Sequence, residues 1–332
     1  MVSDTIRHAV SVSHMIVVKR LAAVGVAVAL IAGALFARDQ WLEGDDSGNE
    51  QSNAASVLVC ATELAAICAQ VASSYPGVTI RAANVGDSLN ELADDEMWFT
   101  FTPFPEIITQ MRERSRQPER VYSTQPVASS NVVLVAFPDR TEALTATCGD
   151  PVAWRCLGEQ AGSNWADMGG DESWRDVRPA FAPLHSGIGR LGVASAVAGF
   201  FGDAPIDAGD PSFTSWARPL ARAVPATALS SGTAVATIEV RPSSLDVAIG
   251  AAAELSANGA ARFAVTPVSA NTRIDLVLAT PTGAEAPSGL AAALSTAALA
   301  AGWLATGSPA ATGEPPDANT VVVTSQVWED LT

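Results

Sequence analysis

The chain has 332 residues, 48% of them hydrophobic, which is ample for a sizeable core built as two lobes or one large domain. The formal net charge is −16. Arg7, Lys19, Arg20 and Asp4 are the only charges before Arg38, so the rest holds 16 basic against 34 acidic groups, a net of −18 that argues against a nucleic-acid partner.

Leu21 to Ala37 (LAAVGVAVALIAGALFA) is the one apolar run long enough to meet a bilayer. As a helix its seventeen residues rise about 25 Å, the short end of a span, and Ile16-Val17-Val18 lengthen it. Lys19 and Arg20 precede it, so by the positive-inside tendency the N-terminus stays in the cytoplasm and the body crosses. Residues 1–38 are therefore expected to be a cytoplasmic N-terminus and transmembrane helix, with Met1 or Met15 as the start. A cleaved signal peptide ending near Leu35-Phe36-Ala37 is the alternative, and it would leave the body secreted. Residues 39–55 are polar and acidic, with no apolar period, and read as a linker.

Ordered structure is expected from Ser56. Val57-Leu58-Val59 is a strand, Leu64 to Ser74 a helix stopped by Pro76-Gly77, and Val78-Thr79-Ile80 a second strand. Asp87 to Asp95 reads as a helix, Met97 to Thr102 as a strand, and Pro105 opens a helix with Ile107, Ile108 and Met111 inward. This alternation predicts a layered α/β fold with a largely parallel sheet. Val121 to Phe137 is extended. After it come helices at about Ser186 to Phe201 and Ser212 to Val224. Ala234 to Val240, Leu245 to Ile249, Phe263 to Val265 and Ile274 to Leu278 read as extended, and Ser288 to Leu304 as a serine-capped helix. The tail, 307–332, is a Pro/Gly linker followed by Val321-Val322-Val323 and Trp328, with no role assigned.

Four cysteines follow the apolar segment. In an exported chain their two equal spacings favour bridges Cys60–Cys68 and Cys148–Cys156 among the three possible connectivities. Zinc would need CxxC spacing or histidines, and His185 is the only histidine beyond the anchor, so neither metal nor cofactor is expected. Gly187-Ile188-Gly189-Arg190-Leu191-Gly192 matches GxGxxG. However, the preceding Arg178 to Pro183 is too proline-rich for a central strand, and Asp203 and Asp207 sit in a Gly/Pro loop. The match reads as a serine-capped helix start. A hydrolase using His185 would need a serine partner other than the adjacent Ser186, and no GxSxG elbow exists. Asp94, Asp95 and Glu96 read as a solvated helix end rather than a glycosidase pair.

The order of segments resembles extracellular solute-binding proteins with the two-lobed type 2 periplasmic-binding-protein fold. Trp165 to Gly202 resembles a segment of actinobacterial exported substrate-binding domains. The resemblance implies that lobe 1 comprises 56–128 and 232–306 and lobe 2 comprises 129–231, with crossings near Ala128 to Asn131 and Ser231 to Thr233. It also implies a small-molecule solute held in the interlobe cleft without catalysis, with a permease or envelope protein as partner. Thr62, Glu63, Thr100, Thr102, Ser129, Ser130, Ser186, Gly187 and Ser231 stand at strand ends, helix starts and crossings, where ligands bind in open α/β sheets. Exposed N–H groups with hydroxyls suit an anion or a carbohydrate-like solute, whereas Glu63 favours a cation or a hydroxyl-rich one. A ligand-free envelope interaction or sensor module on the same fold is the main alternative.

Overall fold

The structure, a computed structural model, describes residues 56–224, 233–270 and 272–332. The apolar segment 21–37, the acidic linker and Ser231 therefore lie outside the described residues. No helix among the described residues is long and apolar enough to cross a membrane.

Eight strands are described. β1 (Ser56–Ala61), β2 (Val78–Ala83) and β3 (Met97–Phe101) pair in parallel with β1 central. β8 (Arg273–Pro281) runs antiparallel to β3, and the long β4 (Tyr122–Ala136) runs antiparallel to β8. The other end of β4 pairs antiparallel with β6 (Val247–Ala251) and β7 (Ala264–Pro267), and β5 (Pro179–Phe181) closes the edge parallel to β6. The sheet is thus mixed, where the alternation alone suggested a largely parallel one.

β4 ties the two halves of this sheet together. Up to Asn131 it faces β8, and from Val132 it faces β6 and β7. Its period of two then separates two cores: Val132, Leu134 and Ala136 join the main core, and Val133 and Val135 join a smaller one. The chain returns to the first half through β8, near Thr272, rather than near Ser231-Gly232-Thr233. Ser231 and Gly232 lie outside the described residues, and β6 and β7, which follow them, pair with the second half of β4.

In the first half, α1 (Ala65–Ala72) and α10 (Leu290–Ala300) pack together, while α2 (Val85–Glu91) packs on α3 (Phe104–Arg114). Gly289 rather than a serine precedes α10, with no side-chain cap. In the second half, α4 (Pro138–Cys148), α5 (Trp154–Gln160), α6 (Gly187–Phe201) and α7 (Pro211–Arg222) cover the main core. The cysteines stand at bonding distance as Cys60–Cys68 and Cys148–Cys156, stitching β1 to α1 and α4 to α5.

Three further expectations change. Ala234–Val240 is a helix, α8, despite its β-branched residues. Thr233 caps the Ala236 N–H, and Ala234, Val235 and Ile238 line one helical face against the smaller core. Glu96 is not solvated: it is 8% exposed, and its carboxylate takes both the Arg81 guanidinium and the Ala93 N–H. The tail beyond its Pro/Gly stretch is helical. After α9 (Ala257–Ala260) and α10 the chain ends in α11 (Ala318–Leu331), capped by Asp317, with Val321, Trp328 and Leu331 buried.

The second half is pinned by Asp246, which is fully buried. It binds Arg140 at 2.7 Å and Arg178 at 2.9 Å, and Arg140 also lies 5.6 Å over the Trp174 ring. Removing one member of such a group leaves uncompensated buried charge. Asp246→Ala is expected to lower the unfolding free energy by about 3–5 kcal/mol, measured by urea denaturation.

Candidate functional site

The two halves meet where β1 ends. The turn Thr62–Leu64 swings Glu63 across to the start of α6, where Glu63 Oε1 accepts the N–H of Gly187 at 2.6 Å and of Ile188 at 3.3 Å. Ser186 Oγ accepts the next N–H, from Gly189, at 2.9 Å. The first N–H groups of a helix have no partner within it, and they gather the positive end of its dipole. Such an end is a ready anion site, and here the chain's own carboxylate occupies it. A second bond crosses the seam alongside, from the Gly86 N–H to the His185 carbonyl at 2.9 Å. Gly187 lies so close that a Cβ there would run into the Phe101 ring of β3, and a Cβ on Gly189 would strike the carbonyls of Ala182 and Pro183. The glycines of the GxGxxG match therefore permit backbone contact rather than cradle a phosphate. The strand before them, β5, sits at the sheet edge.

Glu63 is only half satisfied. Its Oε2 is buried and meets no donor. Burial raises the Glu63 pKa, opposed by the backbone N–H bonds and the Ser186 hydroxyl. Glu254 lies within its electrostatic reach. Burial, chiefly, together with the charge of Glu63, pushes the Glu254 pKa up to about 7, against hydrogen bonds from Thr233 and the Ala251 N–H. Neither carboxylate has a cationic partner among the described residues.

Of the residues expected to line a cleft, Glu63, Ser186 and Gly187 come together in this one contact. Thr62 is exposed, donating to Asn84 Oδ1 at 2.7 Å. Thr100 is fully buried in β3 with its hydroxyl unmet. Thr102 and Ser129 converge on Asp275: the Thr102 N–H donates to its carbonyl and the Ser129 hydroxyl to its carboxylate at 2.7 Å. Ser130 Oγ instead accepts the Ala253 N–H. His185 is exposed, and no bond joins its ring to a serine among the described residues. Sequence reasoning missed Glu254, whose signal is a lone acid in the apolar stretch Val247 to Leu255, and Asp275, a lone acid inside β8.

Neither Glu63 nor Thr100 lines any of the three cavities described. The largest, about 490 Å³, lies among β5, α7 and α11, walled by Phe181, Leu220 and Trp328. No group of three or more metal-ligating side chains is present among the described residues.

An acid whose folded pKa stands above its unfolded value of 4.5 holds its proton more tightly when folded. Its stabilising effect is therefore complete below about pH 4.5 and is lost as pH rises through about 7. Thermal unfolding is expected at progressively lower temperature from pH 5 to pH 8, and Glu254→Gln should flatten that slope and raise Tm at pH 8. A variant with the wild-type slope would remove Glu254 as its cause.

No protein-family model and no curated protein matches the chain. Among solved structures, a periplasmic thiamin binding protein superposes with TM-score 0.51 at 11% identity, over 87% of this chain and 99% of that one. The sulfate-binding protein SubI from Mycobacterium tuberculosis gives 0.45 at 14% identity, over 80% and 95%. The GacH receptor of Streptomyces glaucescens gives 0.44 at 13%, over 83% and 94%. At such identities the likeness is one of fold, and the first of these superpositions gives the described domain the fold of a periplasmic solute-binding protein.

Proposed function

We propose that this chain is a membrane-tethered extracellular solute-binding-type domain that takes a small cationic or hydroxyl-rich solute at the seam between its halves, without catalysis. The observation that carries this reading is the unmet, buried Glu63 Oε2 beside Glu254. Two buried acids without a cation leave the seam short of hydrogen-bond donors, which an ammonium or a polyol supplies, the ammonium adding positive charge. An oxyanion is disfavoured, because its place on α6 is held by Glu63. The net charge of −18 beyond the apolar segment adds a long-range pull on cations.

A second reading, a ligand-free envelope interaction or sensor module, is favoured by the closure of the seam through Glu63–Gly187 and Gly86–His185. A thermal-shift panel of amines, polyols, sugars and oxyanions on residues 56–332 separates the two. A solute at 100 times its Kd adds about 2.7 kcal/mol, a shift of a few degrees. An amine or polyol is expected to shift wild type and not Glu63→Gln, with sulfate and phosphate inert. Silence across the panel would leave the ligand-free module standing, and a sulfate shift would overturn the charge reasoning.

The tether rests on Leu21 to Ala37 behind Lys19-Arg20. Full-length protein is expected in the membrane pellet after carbonate extraction. A soluble form beginning near Arg38 would instead identify the segment as a cleaved signal.

A further inference from the structure

Within the described sheet the chain crosses between the halves twice, once in β4 between Asn131 and Val132 and once at the start of β8 near Thr272 and Arg273. In hinge-bending proteins a few residues at such crossings absorb the change in backbone angles when a cleft opens. Here both crossings are spanned by the same segment, the chain after α10. Leu304 pairs with Ser129 through two backbone bonds, at 2.9 and 2.8 Å. Asn131 then grips the tail from both sides of its amide: Nδ2 donates to the Ala310 carbonyl at 2.7 Å and Oδ1 accepts the Thr312 N–H at 3.0 Å. On the second crossing, the Arg273 N–H donates to the Glu314 carbonyl and its guanidinium to the Gly313 carbonyl.

Beyond this splint the chain turns into α11, which touches both halves. It packs along α6 and α7 of the second half and against α3 of the first. Trp328 anchors it, 3% exposed and edge-on to Phe181 at 5.0 Å, while Leu331 accepts the Arg222 Nε–H at 2.9 Å. The anchoring is uneven. The helix buries a stripe of Ala318, Val321, Ser325 and Trp328, whereas the Pro/Gly stretch before it is exposed or half-buried and is held by polar bonds that include those just named.

We infer that residues 304–331 form a strap that locks the two halves together, so that loosening the strap is what lets the seam open. A helix in contact with one half only would ride with that half and leave the hinge free. This one must slide over α3 or over α6 when the halves part, and the tail bonds at Asn131 and Arg273 must break with it.

The inference does not depend on which solute, if any, enters, and it is tested without one. Spin labels on cysteines placed at the exposed Glu91 in the first half and Asp203 in the second report the separation of the halves in the full-length chain. Wild type is expected to show one narrow distance distribution. Asn131→Ala, which removes both side-chain bonds between the first crossing and the tail, and Trp328→Ala, which unseats the helix, should each raise a longer-distance population at least several-fold. Distributions unchanged from wild type in variants that unfold cooperatively would overturn the strap. If Trp328→Ala fails to fold, Asn131→Ala alone decides.

Discussion

The start of α6 presents a row of N–H groups and the positive end of a fifteen-residue helix to whatever lies opposite, and what lies opposite is Glu63. A carboxylate taken out of water loses far more than one hydrogen bond returns, unless donors and dipoles replace its hydration. Gly187, Ile188 and the Ser186 hydroxyl replace it on one side only. The contact therefore joins the halves strongly and leaves an oxygen that wants a donor. Its geometry also dictates sequence nearby: Gly187 has to lack a Cβ for Phe101 to come close, and Gly86 meets His185 through backbone alone.

The sheet explains why that contact can matter to both halves at once. Among the described residues β4 is the only strand that pairs in both, so β1, with Glu63 in the turn that follows it, and α6 with its open end are carried by different parts of one sheet. A bulge-like register shift between Pro126 and Ala128 lies just ahead of the crossing, which is where a long strand can bend without losing its pairing. Glu63 closes the seam at the strand ends, and the tail closes it at the crossings. These two closures lie on different elements and use different chemistry, one a buried acid and the other amide and guanidinium bonds to the tail backbone followed by the docked helix α11.

Much of the first half was legible because its signals are local. Val57-Leu58-Val59, the Pro76-Gly77 stop and the Pro105 helix start each carry their cause within a few residues. Ser186 as the cap of α6 was legible for the same reason. What sequence reasoning got wrong depended on distance along the chain. α8 looks extended by its β-branched residues until the smaller core gives Val235 and Ile238 a helical face to fill. Ser231-Gly232 has the composition of a crossing, but no composition can say that β6 and β7 still belong to the second half. The tail reads as a linker because its anchors, Asn131 and Arg273, are 179 and 40 residues away. Glu63 was singled out, yet its partner lies 124 residues on, so only the fold could show that the carboxylate fills the anion position itself.

The closed seam sets a limit on any solute. Each hydrogen bond across it contributes about 0.5–1.5 kcal/mol net, and bonds to a charged group about 1.5–3. Glu63–Gly187, Glu63–Ile188 and Gly86–His185 together then hold the halves by a few kcal/mol before the strap is counted. Since 1.4 kcal/mol is a factor of ten, an open form would be populated at about the per cent level or below, and an entering solute would bind more weakly by the same factor. A donor placed on Glu63 Oε2 recovers part of that loss, because it satisfies an oxygen that the closed protein leaves bare. An anion recovers none of it, since it would have to expel Glu63 and leave that carboxylate unpaired inside the protein. The same contact that makes the seam hard to open thus selects, by charge, what can be worth opening it for.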